Sequence, residues 1–419
     1  MSKRHCDSTL LYKMAYPGDN ETMMKHFLLG TTMLAATIFA GQAQENTVRI
    51  GVLNDQSSSF SAIGGTEVVR AVELAIEDHG AQAAGMRVEL VIGDHQNKPE
   101  VGLAIAGEWL KRDRVDVIAD MTNSAIAQPV NKLIGLQRKV GLFVSPLTDR
   151  PTEEDCNGHV VAWAYDADST IRSTVKALLA HGQTSFFLLS PDTEAGTIQE
   201  DVVATAVAAH GGTVKGKQRV PLGTTDFSSQ LAEAVASGAE IVIMNISGAE
   251  LVDAMKQVQT AGLHDKGMKI AVTFMHQADV RSIGVGALQG VRFVVPWFWG
   301  KDEASRQWGR RMMAITGHAP GWIAAGTYSA VTNYLNAIDK AGTDDSVEVL
   351  AALDALNVSD FFINNGDLYP NGRMIHDMYL VEVKTPAEVT EKEDFLELVE
   401  TVPAKEAFRP LSESDCKLR

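Results

Sequence analysis

Two short runs of small polar residues have the chemistry of an anion cradle. Thr122-Asn123-Ser124-Ala125 follows an apolar run over 115–119 and opens an amphipathic run over 126–136. Free N–H groups at a helix N-terminus, joined by hydroxyls, hold a carboxylate without any cationic side chain. The same residues also make an ordinary helix cap, and the two roles coexist. We take Asn123, Ser124 and Ala125 as candidate ligand contacts. After the next apolar run, Val144-Ser145-Pro146-Leu147-Thr148 adds Ser145, Leu147 and Thr148 as a second wall, with a plain proline turn as the rival reading. The loop Ser57-Ser58-Ser59-Phe60 contributes Ser59 and Phe60; the ring either covers a ligand or packs beneath its own loop.

Apolar walls come from aromatic residues. Trp297-Phe298-Trp299 is the densest aromatic run, and alternation puts both tryptophans on one side. Trp299 is the candidate wall, with core packing as its rival. Tyr165 and Tyr328 are further candidates, although Tyr328 shares a helical stripe with Val331 and Leu335. From the second half of the chain the candidates are Asp192 or Thr193, Asn245 with Ser247, and Phe274 with Met275.

Catalytic patterns are absent from the sequence. It contains no GxSxG elbow and no Walker A loop, and Gly284 to Gly290 has the wrong spacing for a dinucleotide loop. His79, His95, His159 and His181 show no ligand spacing, and Glu153-Glu154 reads as a solvated pair in a polar loop. No enzyme activity, cofactor, ATP site or metal is expected.

The elements that must position these residues alternate. Strand patterns fall at 48–53, 87–92, 115–119 and 140–144, with helices at 67–78, 99–111 and 126–136 between them. A second series follows, with strands at 185–190, 213–220, 240–246, 269–273 and 291–295 and helices at 196–210, 227–236, 249–261 and 278–285. Asp168-Ser169-Thr170 reads as the cap of a further helix. Helices at 302–316, 326–340 and 347–356, a strand over 373–383 and a charged, irregular tail complete the chain. The pattern predicts an α/β protein of two lobes, each a mostly parallel sheet flanked by helices. Ligand crevices in such sheets lie at the carboxyl ends of the strands.

A chain of 419 residues supports two such lobes, and a net charge of −16 argues against nucleic acid and anionic membranes as partners. Met24-Lys25-His26, an apolar stretch over 27–40 and Gly41-Gln42-Ala43 read as a signal peptide cut after Ala43, behind a polar leader. Export leaves two cysteines, Cys156 and Cys416, which pair most simply in an oxidising compartment; two free thiols are the alternative.

Several motifs in order resemble one family. Ile50-Gly51-Val52-Leu53-Asn54 with 65–78, the turn Gly93-Asp94-His95-Gln96-Asn97-Lys98-Pro99, the run 116–127, Pro221 to Ser229 and Gly372 to Tyr379 are similar to segments of branched-chain amino-acid-binding (Leu/Ile/Val-binding) periplasmic proteins of ABC transporters. The resemblance spans about 47–416 and implies the type I two-lobed fold with three hinge crossovers, near 163–166, 296–299 and 361–373. Lobe one would hold 46–164 and 300–358, lobe two 165–297 and 359–385, and the tail 386–419 would return to bridge Cys416 to Cys156 near the hinge. It further implies a periplasmic, monomeric binder of a small solute. That solute would be passed to inner-membrane permease subunits. A sensor of amides or amino acids on the same fold is the alternative. Amino-acid binders of this type place a carboxylate at the strand end that here reads Phe274-Met275-His276. Its absence shifts the expectation toward an aromatic or aliphatic carboxylate or a neutral amide, with Asp192 as the remaining source of that charge.

Overall fold

Strand and helix alternate from the first described residue onward. The computed structural model describes residues 47–263 and 266–418; the expected leader and signal peptide, 1–43, lie outside them. Lobe one begins with β1 (Thr47–Asn54), α1 (Gly65–His79), β2 (Gln82–Ala83), β3 (Met86–Asp94) and α2 (Pro99–Lys111). It continues through β4 (Val117–Asp120), α3 (Ser124–Gln137), β5 (Val140–Phe143) and β6 (Val160–Ala162). These strands form one sheet in the order β2-β3-β1-β4-β5-β6, parallel except for the β2–β3 hairpin. All four residues of β4 and of β5 are buried, as expected where helices cover both faces of a parallel sheet.

Lobe two carries α4 (Ala167–Ala180), β7 (Ser185–Pro191), α5 (Glu194–Ala209), β8 (Thr213–Val220), α6 (Ser228–Ser237), β9 (Ile241–Met244) and α7 (Gly248–Thr260). Next come β10 (Lys269–Val272), α8 (Gln277–Ile283), α9 (Val285–Leu288) and β11 (Arg292–Val295). The chain then supplies α10 (Glu303–Thr316), α11 (Trp322–Ala341) and α12 (Ser346–Asp354), and α11 packs along α1 of lobe one. A short hairpin of β12 (Asp367–Leu368) and β13 (Met374–Ile375) leads back to lobe two and to β14 (Met378–Val383) and β15 (Leu396–Val402). The second sheet runs β15-β14-β11-β10-β9-β7-β8, with β14 and β15 antiparallel to their neighbours.

Four expectations are corrected. The tail is not irregular: Leu396–Val402 is the edge strand β15, with buried Leu396 and Val402 at its ends. The cap of α4 is Asp166, not Asp168 to Thr170; Asp166 accepts from Ser169 N at 2.6 Å and Ser169 Oγ accepts from Asp166 N at 3.0 Å. Helix α11 starts at Trp322, four residues before the expected 326. Glu153 is not solvated: it is 2% exposed and ion-paired with Arg373, which is 1% exposed.

That pair belongs to the hinge. Arg373 Nε also meets Asp166 Oδ2 at 2.7 Å, tying the first crossover to the third, and the backbone of Ala162 donates to Gly372 O at 2.9 Å. A Cβ on Gly372 would sit 2.2 Å from Val160 O, and its φ is +87°, so only glycine fits. Trp163, Trp297 and Trp299 are all buried here, with indole N–H groups on Ser329 Oγ, Ser305 Oγ and Glu393 O at 3.1, 3.0 and 2.9 Å. Cys156 and Cys416 form a disulfide with a Cα–Cα distance of 5.6 Å, joining a lobe-one loop to the tail that follows β15.

Candidate functional site

A cavity of about 760 Å³ opens between the two sheets, walled by loops that leave the carboxyl ends of strands in both. Lobe one contributes Ser59 and Phe60 after β1, Asn97 after β3, Thr122 to Ser124 after β4 and Ser145 and Leu147 after β5, and the crossover after β6 adds Tyr165. Lobe two contributes Asn245 and Ser247 after β9 and the run Thr273 to His276 after β10. The crevice rule for parallel sheets therefore operates twice, once per lobe.

Local hydrogen bonds fix the lobe-one wall. Asp55 accepts from the N–H groups of Ser58 and Phe60 at 2.8 Å each and from Ser58 Oγ at 2.6 Å, which shapes the opening loop. Burial alone would raise the Asp55 carboxyl, but these donors prevail and hold it below the usual carboxylate range. Asn123 caps α3 by accepting from Ala125 N at 2.7 Å and donates to Asn97 Oδ1, while Asn97 Nδ2 donates to Ser59 Oγ at 2.9 Å. Beneath the wall, Asp120 is fully buried and accepts from Ser145 Oγ; burial pushes its carboxyl up to about 7. Asp120 and Met121 both adopt left-handed backbone, with φ of 75° and 72°. Two such non-glycine residues in succession are a costly conformation, and here they turn the chain from β4 into the Thr122 loop.

In lobe two the Asn245 amide is held from both sides. Its Nδ2 donates to Ser190 Oγ at 2.9 Å and its Oδ1 accepts from Thr273 Oγ1 at 3.1 Å. Helix α5 approaches closely because Gly196 has no side chain: a Cβ there would lie 2.1 Å from Pro191 O. An aromatic cluster spans the cavity between lobes. Trp322 of lobe one stacks on His276 of lobe two, with ring centroids 5.0 Å apart and planes 20° apart, and Tyr165 meets Trp322 edge-on at 4.7 Å. The Tyr165 hydroxyl donates to Ser145 O at 2.9 Å.

Of the residues singled out from sequence, the cavity brings together Ser59, Phe60, Asn123, Ser124, Ser145, Leu147, Tyr165, Asn245, Ser247, Phe274 and Met275. The others lie elsewhere for identifiable reasons. Trp299 is 2% exposed, with its ring under the Arg306 guanidinium at 5.2 Å, inside the hinge. Tyr328 donates to Asp78 Oδ2 at 2.6 Å and packs on Trp308 and Phe361. Thr193 caps α5 by accepting from Gly196 N at 3.0 Å, and Asp192 is exposed beside it. Thr148 accepts from Arg150 N in the proline turn, and Ala125 is consumed by the Asn123 cap.

Sequence reasoning missed Trp322, His276, Asn97, Glu250 and Asp279, all of which line the cavity, as does Thr122 of the expected cradle. The signal for Trp322 was Pro320-Gly321 before an apolar helical run, a legible helix start. The strand end after β10 does lack an acid, yet two carboxylates reach the cavity from helices. Glu250 accepts from Gly223 N at 2.8 Å and Asp279 from His276 N at 2.8 Å. The described lining residues include no lysine or arginine.

Known proteins share this architecture. A branched-chain amino acid ABC transporter periplasmic ligand-binding protein from Burkholderia xenovorans LB400 is 36% identical, covers 88% of this chain and 99% of its own, and superposes with a TM-score of 0.86. A solute-binding protein from Rhodopseudomonas palustris, solved with benzoate, shares the fold at 18% identity and a TM-score of 0.74, covering 89% of this chain and all of its own. A Leu/Ile/Val-binding protein homolog from Brucella melitensis is 23% identical over 262 residues, 62% of this chain and 66% of the relative, just under two thirds of its length. Residues 47–389 match the periplasmic binding protein family as a whole. The chain belongs to the periplasmic binding protein family, with the type I fold of its solved relatives.

Proposed function

We propose that this protein is the extracytoplasmic substrate-binding component of an ABC importer, holding a small carboxylate in the inter-lobe cavity and delivering it to a membrane permease. The observation that carries this reading is the cavity itself. One end offers the N-terminus of α3 with the Asn123, Ser124 and Ser145 groups; the walls are the rings of Phe60, Tyr165, Phe274 and Trp322 with Leu147 and Met275. The positive end of the α3 dipole favours an anion, and ring faces favour a flat apolar body. An aromatic carboxylate satisfies both, ahead of an aliphatic acid or an amino acid, and the R. palustris relative holds benzoate in the same fold. Contacts from both lobes let such a ligand draw them together, because it binds the closed form better than the open one. The protein acts in the periplasm as a monomer, and its role is binding rather than turnover.

A thermal-shift screen of benzoate, 4-hydroxybenzoate, short fatty acids, leucine and benzamide tests this. A ligand at a hundred times its Kd adds about 2.7 kcal/mol of stability. Stabilisation by a carboxylate supports the reading, and no shift with any carboxylate overturns it. Co-purification of the ligand-loaded protein with inner-membrane permease subunits tests delivery.

A further inference from the structure

The ionisable groups that line the cavity are Glu250, Asp279, His276 and Tyr165. Two are acids. The third is an imidazole, and the fourth is a phenol that burial pushes far above its usual range. A carboxylate ligand brings a further negative charge into a space where the described walls carry no fixed cation. Amide dipoles at the α3 N-terminus offset part of one charge, not three. His276 is the lining group able to become cationic.

We infer that His276 is the proton-linked counter-ion of the cavity: a carboxylate that carries no ammonium of its own binds together with one proton from solvent, held on the His276 imidazole. This rests on the reading of the cavity as a carboxylate site.

As the N-cap of α8, His276 lies beside Asp279 and stacks on Trp322. Burial, opposed by the nearby Asp279 carboxylate, holds the imidazole below its usual range and so neutral in the empty cleft. Stacking on the Trp322 face supports the protonated ring as a cation–π pair. The ring cannot swing away from the wall easily, because Trp322 is itself braced edge-on by Tyr165.

The charged groups around it are otherwise engaged. Arg281, on the same helix, pairs with Glu393 of the segment before β15 at 2.9 Å and donates to Ala319 O at 2.8 Å. Glu67 of α1 accepts from Gly321 N at 3.0 Å next to Trp322, and burial pushes it up to about 7. Glu250 of α7 and Asp279 of α8 keep their N–H donors. None of these supplies a free cation to an incoming anion. An amino acid differs, because its ammonium brings the balancing charge with it.

Titration calorimetry of the full protein with benzoate, in buffers of different ionisation enthalpy, counts protons directly. Above neutral pH, where the free ring is neutral, benzoate is expected to take up close to one proton. Its Kd should rise by up to about tenfold per pH unit between about pH 6 and 8. Leucine and benzamide are expected to take up none. His276→Asn should remove the proton uptake and flatten the pH dependence, whereas His210→Asn on the exposed face of lobe two should leave both unchanged. Tight benzoate binding with no proton uptake overturns the inference while leaving the carboxylate reading intact, and so does unchanged uptake in His276→Asn. The wild-type proton count decides the matter even where His276→Asn does not fold. If no carboxylate binds at any pH, the parent reading falls and the counter-ion role falls with it.

Discussion

Two aromatic clusters among the described residues do opposite things. At the hinge, Trp297 meets Trp308 edge-on at 5.6 Å, Trp308 stacks on Phe361 at 4.7 Å, and the indole N–H groups of Trp297 and Trp299 are spent on Ser305 and Glu393. Across the cleft, Trp322 touches both His276 and Tyr165, and all three form the cavity wall. Buried charge divides the same way. The hinge pairs Arg373 with Glu153 and Asp166, while no cation pairs with Asp120 under the cleft among the described residues. The denser cluster is the structural one. A functional wall is the place where packing and polar pairing are left incomplete.

The sharpest way to break this distinction is at the charged pin of the hinge. Arg373→Met strands two buried carboxylates and is expected to cost about 3–5 kcal/mol, read as a lower urea midpoint at unchanged slope. An unchanged midpoint would mean that the pin contributes nothing. Trp297→Ala should cost a similar 3–5 kcal/mol through the cavity it leaves. Trp322→Ala should instead show its main effect as a roughly tenfold or greater loss of affinity for the carboxylate found in the screen, the scale of one lost aromatic contact. If the two variants lose affinity equally, the hinge and cleft clusters are not functionally separate.

The disulfide tests the hinge from outside the aromatic core. It closes a loop of 260 residues between lobe one and the tail beyond β15, and it does not line the cavity. Cys156→Ser with Cys416→Ser is expected to lower stability by about 2–5 kcal/mol while leaving affinity within a few-fold. A large loss of affinity at little stability cost would show that the tail tether sets the lobe geometry the ligand needs.

How much of this was legible depended on the range of the interactions. Strand and helix alternation, the two lobes and the Asn123-Ser124 turn follow from local patterning, which periodicity reports directly. The edge strand Leu396–Val402 escaped because Glu397 and Glu400 interrupt its apolar residues, and Leu398 is exposed, so no clean period of two shows. Trp299 drew attention through aromatic density, a local property, yet its burial depends on Glu393, 94 residues away. Trp322 and His276 lie on different lobes, and nothing in either neighbourhood announces that their rings meet. Glu153 looked solvated because its partner Arg373 is 220 residues distant. Trp299, Trp322, His276 and Glu153 share one cause: each is fixed by a contact between segments far apart in sequence.

The smallest expected effect bears on the floor of that cleft. Asp120 carries a carboxyl raised from an ordinary 3.8 to about 7 by burial, so the folded protein binds its proton more tightly than the unfolded chain does. Its contribution is present in full below about pH 4 and is lost as pH rises through about 7. Asparagine keeps an acceptor for Ser145 Oγ, tolerates the left-handed backbone at φ 75° and never ionises. Asp120→Asn should therefore match the native protein near pH 4 and be more stable by pH 8, by something of order 1–3 kcal/mol. Unfolding free energies by denaturant at the two pH values check it. A difference that does not change with pH would mean that Asp120 is ionised throughout, and that the cleft floor is as fully satisfied as the hinge.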